Sequence, residues 1–387
     1  MFPVCERKSN MPVGSGLNVF IIGGGLVGCG CGYYLTRAGA RVTILEENFL
    51  ASGASGANAG LLSLGMPERP DVAHLYAESR RLILEELEPE IGDFEMVRSG
   101  ILYVAMEETE LQALKMRAEA FQETRIAFTE LTPEELLEEE PRLSPDASGG
   151  LLAPDSGNFN PFLLSHGLAR SMVRNGGRFA VGKSVKSIEK DGEGFLIKTG
   201  GETFSADVVV LANGWQATGL AEPLGITLPV VPARGQIIIT EPLAPFVRKA
   251  IHSTRHIYMR QTVSGTCQIG SHTEFVGSDR RVTLEKLGNY AEDISKMIPL
   301  FANVRMLRAY AGLRPLTPDS LPIVEKAPGM DGLVLACGHS RTGASLSVVT
   351  GKIVTELLLE GRSSLDISPW SLDRFGGKTF EECTNGR

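Results

Sequence analysis

The chain has 387 residues, of which 43% are hydrophobic and 22% charged, a composition ordinary for a soluble globular protein and a length sufficient for two domain-sized cores. A formal net charge of −8 and a pI near 5.5 argue against nucleic acid as a partner, because such binding draws most of its affinity from basic side chains that neutralise phosphates. No apolar run reaches the roughly eighteen residues of a membrane-spanning helix, and the stretch before Asn18 lacks the apolar core of a signal peptide, so a cytoplasmic protein with a flexible N-terminal tail over 1–17 is expected.

The first element, Val19-Phe20-Ile21-Ile22, reads as a buried strand. It runs into Gly23-Gly24-Gly25-Leu26-Val27-Gly28, a helix of small and apolar residues to Ala38, a closing Gly39, and a second strand, Val42-Thr43-Ile44-Leu45, that ends in Glu46. Strand, glycine turn, helix, strand and acid at this spacing form a dinucleotide-binding βαβ unit. Gly23 allows the tight turn, Gly25 clears the approach of a pyrophosphate to the helix N-terminus, Gly28 lets helix and strand pack closely, and Glu46 is placed to accept from a ribose hydroxyl.

The run Ala51 to Gly60 is too small and polar for a core element, and its amides and hydroxyls could line a bound anion or ring; a plain surface loop has the same composition. From about Ser79 to Glu140 the chain is acid-rich and helical in pattern, with Thr132-Pro133-Glu134-Glu135 as a capping box, and the acids read as a solvated helix face. Asn160-Pro161 opens a helix that stops at Gly176-Gly177, and the alternation around 181–188 and 194–198 predicts a β-meander. Asp207 to Ala212 is a buried strand ending in Asn213-Gly214-Trp215, as a parallel strand does before a loop over a ligand. β-rich segments recur at Gln236 to Thr240, His256 to Arg260 and Thr266 to Gly270, followed by a helix near Leu284 to Met297.

The last third returns to the opening pattern, with a buried strand, Leu333 to Cys337, a polar glycine turn, Gly338 to Gly343, and a helix, Ala344 to Glu360, whose apolar stripe falls at Leu346, Val349, Ile353 and Leu357. The predicted fold is therefore α/β, with a Rossmann-like domain of glutathione-reductase type assembled from 18–80, 151–225 and 306–370. An antiparallel sheet with helices, from 81–150 and 226–305, is inserted as the substrate domain, and 371–387 is left as a C-terminal tail. The six cysteines, Cys5, Cys29, Cys31, Cys267, Cys337 and Cys383, form no CxxC pair, so no metal centre, iron–sulfur cluster or redox dithiol is expected.

The opening fingerprint serves NAD and FAD alike. The late turn separates them: it sets the positive end of a long helix where a flavin pyrimidine ring could rest, and a reduced flavin, unlike a nicotinamide, gains from positive potential at N1 and C2=O. In the run Ile21 to Glu46, Ser52 to Gly60, Val208 to Trp215, Pro232-Ala233-Arg234-Gly235-Gln236, Ala311-Gly312-Leu313-Arg314-Pro315 through Ile323, and Ala336 to Gly343, the sequence resembles the D-amino-acid oxidase and glycine oxidase superfamily. The pieces span nearly the whole chain. Ala336 to Gly343 and Leu365 to Trp370 are most similar to catalytic flavoprotein subunits of hydrogen-cyanide synthase, opine oxidase and hydroxyproline dehydrogenase.

The resemblance implies an FAD-dependent amine oxidation in which the Cα hydrogen leaves as hydride to flavin N5. The substrate would be a D-amino acid, glycine, a proline-like imino acid or an opine. By the family motif Arg314 would hold the substrate carboxylate in a bidentate fork, and Tyr258 would hydrogen-bond the carboxylate or amine, although a packed core tyrosine fits the same pattern. Cofactor contacts would fall on Gly23, Gly25, Leu26, Val27 and Gly28; on Glu46, Glu47, Ser52, Ser55, Asn58, Ala59 and Gly60; on Val185, Ala212, Asn213, Gly214, Trp215 and Gly235; and on Arg314, Gly338, His339, Thr342 and Gly343. His339 would lie beside the flavin without acting as a base. No cysteine lies in Gly312 to Leu316, where some sarcosine-oxidising relatives attach the flavin, so noncovalent FAD is expected. Three arrangements stay open: a subunit of a heteromeric dehydrogenase whose partner carries an electron relay, a stand-alone oxidase producing hydrogen peroxide, and a noncatalytic FAD-binding subunit, the last disfavoured by the presence of Arg314.

Overall fold

The computed structural model describes residues 16–63, 69–124, 126–254, 257–270 and 272–385. The expected tail up to residue 15 and the His256 end of one predicted strand lie outside the described residues. Two sheets organise the chain. The first has six strands in the order Ile323–Lys326, Leu333–Cys337, Val208–Leu211, Asn18–Ile22, Arg41–Leu45, Arg178–Ala180. All neighbours run parallel except the edge pair Ile323–Lys326 and Leu333–Cys337.

The fingerprint strand is central because it is apolar on both faces. Val19 and Ile21 enter a core formed with the helices Leu26–Arg37, Pro161–Arg174 and Gly343–Leu359, while Phe20 and Ile22 enter a second core beneath the meander Val185–Asp191, Gly194–Thr199, Thr203–Ala206. This is the period-two alternation of a strand covered on both sides. The first and late helices cross where neither carries a side chain: a Cβ at Gly30 would lie 2.5 Å from the Ser347 carbonyl oxygen, and one at Gly351 would overlap the backbone of Gly30. That close crossing brings the two helix N-termini to the same end of the sheet.

The second sheet has eight strands in the order Met306–Leu316, Val231–Thr240, Cys267–Gly270, Tyr258–Gln261, Ala250–Ser253, Ile101–Ala105, Gly149–Ala153, Thr129–Leu131. It departs from the expected antiparallel sheet at one place, since Ala250–Ser253 and Ile101–Ala105 pair in parallel. Expected boundaries also shift. Met306–Leu316 and Gly149–Ala153 belong to this sheet, the former pairing with Val231–Thr240 along almost its whole length. Residues 371–385 are not a free tail: Leu372 and Phe375 are buried in the second core, and Arg374 ion-pairs with Asp319 at 2.7 Å.

Between Ser79 and Glu140 the helical reading holds for Glu108–Glu119 and for Pro133–Glu139, which starts at the predicted Thr132 capping box. It fails at Ile101–Ala105, a strand buried at every position. Five consecutive apolar residues carry no periodicity, and only sheet pairing decides their state. The helices at Pro161–Arg174 and Leu284–Met297 start and stop as predicted, the former capped by Asn160, whose Oδ1 accepts from the Phe162 and Leu163 amides.

Candidate active site

A cavity of about 620 Å³ lies between the two sheets, at the end of the six-stranded sheet where both helices begin. Its volume is in the range of cofactor and ligand sites. Gly23, at φ +105°, opens the wall; a Cβ there would sit 2.7 Å from the Ala212 carbonyl oxygen, so the turn presses against the end of the neighbouring strand. Gly25 is the N-cap of the helix Leu26–Arg37 and supplies no side-chain cap. The Leu26 amide donates instead to Ser55 Oγ at 2.9 Å, and a Cβ on Gly25 would meet that same oxygen at 2.8 Å.

Glu46 is buried at the end of the second strand. Its Oε2 accepts from the Gly24 amide at 2.7 Å, and its Oε1 from the Asn48 amide at 2.9 Å and from Ser52 Oγ at 3.0 Å. One carboxylate thus ties the glycine turn to the 51–60 loop, which folds over the cavity through Ser52, Ser55, Asn58 and Ala59. On the opposite side the helix Gly343–Leu359 starts at Thr342, again with no side-chain cap. Neither helix has an acid in its first turn. Two positive helix ends therefore face one cavity, an arrangement that favours a phosphate at one and an electron-rich ring at the other.

The expected cofactor residues converge on this space. Gly23, Gly25, Leu26 and Val27, then Glu46 and Glu47, line it together with Val185, Ala212, Asn213, Gly214 and Trp215, and on the far side Gly235, Arg314, His339, Thr342 and Gly343. Three do not line it. A Cβ at Gly28 would overlap the Gly23 carbonyl oxygen and one at Gly60 the Phe159 carbonyl oxygen, while Gly338, at φ +67°, turns the chain against Thr317. These glycines shape the wall from behind.

Asn213 supplies the test of fit. Its side-chain oxygen is buried at the cavity wall with no hydrogen-bond partner, and an orphaned acceptor of this kind answers to a bound polar group. Together with two helix N-termini that carry no acid in their first turns and a carboxylate beside the turn, it fits the donor and acceptor set of an adenine dinucleotide with a redox ring.

At the other end Arg314 is held by the second sheet. Burial disfavours its charged form, its Nη1 donates to the His272 carbonyl at 2.8 Å, and its guanidinium lies in the space a Cβ on Gly235 would take. Tyr258 lines the same cavity, and burial raises its phenol, so the hydroxyl is protonated and able to donate. His339 is buried, contacts Thr350 Oγ1 at 2.9 Å, and desolvation pushes its pKa down to about 3. It is neutral at physiological pH and is no reservoir of positive charge.

Sequence reasoning missed the clamp behind Arg314. Arg234 forks onto Glu274 (Nε to Oε2 3.1 Å, Nη2 to Oε1 3.0 Å) and reaches Asp279 at 3.3 Å and the Arg281 carbonyl at 2.9 Å. Gln236 donates to Glu274 at 2.7 Å and accepts from the Thr283 amide at 2.8 Å. These bonds pin the loop that carries the His272 carbonyl. The signal was present in Arg234-Gly235-Gln236, two long polar residues flanking a glycine inside a strand, but their partners are some forty residues away.

A parallel sheet with a glycine turn and acid, a second sheet roofing its carboxyl end, and a buried arginine at the junction define a two-domain dinucleotide-dependent oxidoreductase. The family profile "FAD dependent oxidoreductase" (DAO) matches residues 18–357. The chain belongs to this family and is an FAD-dependent oxidoreductase. It is 30% identical over 376 residues to glycine oxidase of Geobacillus kaustophilus, covering 94% of this chain and 99% of that one. The crystal structure of glycine oxidase from the same organism superposes with a TM-score of 0.88 at 29% identity, covering 92% of this chain and 98% of the other. The HcnC subunit of hydrogen cyanide synthase from Pseudomonas aeruginosa is 27% identical over 92% of this chain and 96% of its own length, and a subunit of the opine oxidase of Rhizobium meliloti is 28% identical over 94% and 99%. No helix among the described residues is long and apolar enough to cross a membrane.

Proposed function

We propose that the chain oxidises the carbon–nitrogen bond of a small amine that bears a carboxylate, as the catalytic subunit of a heteromeric dehydrogenase. The substrate class is a D-amino acid, glycine, a proline-like imino acid or an opine. The observation that carries the reading is Arg314, a buried guanidinium at the cavity end opposite the glycine turn, with Tyr258 beside it. FAD, when bound, supplies the hydride acceptor.

The chain's own residues do the rest by position. Arg314 fixes the carboxylate through its planar fork, Tyr258 donates a hydrogen bond from a phenol that stays protonated, and the sheet behind them excludes water from the carbon to be oxidised. Gly23, Gly25, Ser55 and the two helix N-termini would hold the dinucleotide, with Glu46 turned to a ribose hydroxyl. Cys337 also lines the cavity, but burial pushes its thiol up to about 12, which disfavours the thiolate that a covalent link would use; in this reading FAD is held noncovalently.

The assignment as part of a larger enzyme is supported by the hydrogen cyanide synthase and opine oxidase relatives, both named as subunits. The glycine oxidase relative favours a second reading, a stand-alone oxidase that passes electrons to oxygen and makes hydrogen peroxide. Turnover of a panel of amines, with an artificial electron acceptor and with oxygen, separates the two. Faster turnover with the dye, and co-purification with a second kind of subunit, supports the dehydrogenase; equal turnover on oxygen with stoichiometric peroxide overturns it. Acid precipitation should leave the yellow flavin in the supernatant, and flavin retained by the denatured chain would refute noncovalent binding.

A further inference from the structure

We propose that Arg260 is a positioning residue of the redox site, which sets a fixed positive charge behind the cavity wall at Ala59 and Leu61 and thereby raises the reduction potential of the bound flavin. This role rests on the reading above, in which the flavin ring lies at the cavity end shared by Tyr258 and Arg314.

Arg234 and Arg260 are each only 4% exposed, and they differ in their partners. Arg234 forks onto Glu274 and reaches Asp279. Arg260 meets neutral oxygens instead: its Nε donates to Gln268 Oε1 at 3.0 Å and its Nη1 to Asn158 Oδ1 at 3.1 Å, and no carboxylate among the described residues forms an ion pair with it. Glu95 attracts it from farther off and accepts from Asn160 Nδ2 at 3.0 Å. Burial disfavours the charge on Arg260, yet a guanidinium does not give up its proton inside a protein. A buried cation without a counter-ion is costly, and it becomes favourable where negative charge develops close by.

The strand Tyr258–Gln261 aims this charge at the site. Met259 enters the core behind the sheet while Tyr258 packs on Ile237 and Ile239, so Arg260, two residues from Tyr258, shares the cavity side. Its Nη2 stands 3.1 Å from where a Cβ on Gly60 would be, and the neighbours of Gly60, Ala59 and Leu61, line the cavity. Leu61 pairs with Asn158, and the Gly60 carbonyl accepts from the Phe159 amide at 2.8 Å. The guanidinium is thus held one residue behind the wall, and its field reaches the Tyr258 hydroxyl. Oxidation of the amine breaks its Cα–H bond, sends the hydrogen and both electrons to FAD as hydride and leaves an iminium, so the reduced ring carries one negative charge. A fixed cation nearby favours that form over the oxidised one.

The test is the reduction potential of the FAD-loaded protein, read without substrate by equilibration with a reference dye. Arg260→Gln should shift the ratio of reduced to oxidised flavin about tenfold toward the oxidised form at a fixed poise, a fall of about 30 mV for a two-electron couple. Arg260→Lys should stay within about twofold of the unsubstituted protein, because a point charge is enough to supply a field. Gln268→Glu keeps the arginine and places a counter-charge on the partner of its Nε, so it should lower the potential as Arg260→Gln does, and it gives the result even if Arg260→Gln fails to fold or to load FAD. An unchanged potential in Gln268→Glu overturns the proposal, as does a fall in Arg260→Lys equal to that in Arg260→Gln. Failure of the underlying reading looks different: Arg314→Gln would then leave the potential unchanged as well, whereas with that reading intact it lowers the potential whatever Arg260 does.

Discussion

The guanidinium of Arg314 occupies the volume that any side chain at Gly235 would need. The two residues sit on adjacent strands, Val231–Thr240 and Met306–Leu316, two positions out of register, with Gly235 opposite Gly312 and Arg314 opposite Ala233. A strand glycine that weakens its sheet is thereby explained by the close approach of a charged group. Losing one partner of a desolvated charge pair costs roughly 2–5 kcal/mol, so Arg314→Ala should lower kcat/KM for the best amine about 30-fold to several thousand-fold. The FAD spectrum should stay near normal. Arg314→Lys should recover only part, because a point charge does not reproduce two parallel hydrogen bonds. Gly235→Ala should raise KM by displacing the guanidinium without touching residue 314. Steady-state kinetics on FAD-replete protein checks all three, and an unchanged kcat/KM in Arg314→Ala removes that residue from the active site.

Gly25 is small for two reasons that act together. The dinucleotide reading requires an open path to the helix N-terminus, and Ser55 Oγ, which caps the Leu26 amide, already stands 2.8 Å from where a Cβ would be. Gly25→Val should therefore abolish FAD uptake while much of the chain remains soluble. Flavin content of the purified variant, compared with its elution in gel filtration, gives the result; full occupancy would mean that the turn does not hold the phosphates.

How far the sequence could be read follows from the range of the interactions. Gly23, Gly25, Glu46 and the late turn Gly338 to Gly343 signal themselves through local spacing, and all but Gly338 of these line one cavity. The Ile101–Ala105 strand was hidden because an unbroken apolar run has no period, and its parallel partner Ala250–Ser253 lies far along the chain. Arg234 was legible as a residue type but not as a clamp, since Glu274 reaches it only through sheet pairing. Gly30 and Gly351 are likewise ordinary helix residues until the two helices cross.

The clamp yields its own expectation. Arg234 is 4% exposed, and burial opposes the charge on Glu274, but the hydrogen bonds from Arg234 and Gln236 outweigh it and hold the carboxyl below its usual range. Removing one member of such a buried pair costs about 3–5 kcal/mol, so Arg234→Met should lower the melting temperature. Glu274→Gln keeps hydrogen-bonding capacity and loses charge. It should raise KM about tenfold with a smaller change in kcat, on the order of 1.4 kcal/mol of ground-state binding, because the loop bearing the His272 carbonyl no longer fixes Arg314. A fall in stability with KM unchanged would make the clamp purely structural.

His339 gives the molecule a predictable acid sensitivity. Its pKa is pushed down to about 3 by desolvation, against 6.5 for an exposed imidazole. The folded state thus holds the ring neutral while the unfolded chain protonates it below about pH 6.5. The sign follows from linkage: stability is fully present above the unfolded pKa and is lost as pH falls toward the folded one. At pH 5 the loss from this one group is about 2 kcal/mol. His339→Gln removes the titration while keeping a polar group within reach of Thr350. The stability gap between unsubstituted protein and variant should therefore move by about 2 kcal/mol in the variant's favour between pH 8 and pH 5, measured by denaturant melts at the two values. The same neutral ring should contribute no ionisation to kcat/KM between pH 6 and 9. A gap that stays constant with pH, or a rate profile that loses a limb near pH 6.5 on substitution, would show His339 protonated in the folded protein.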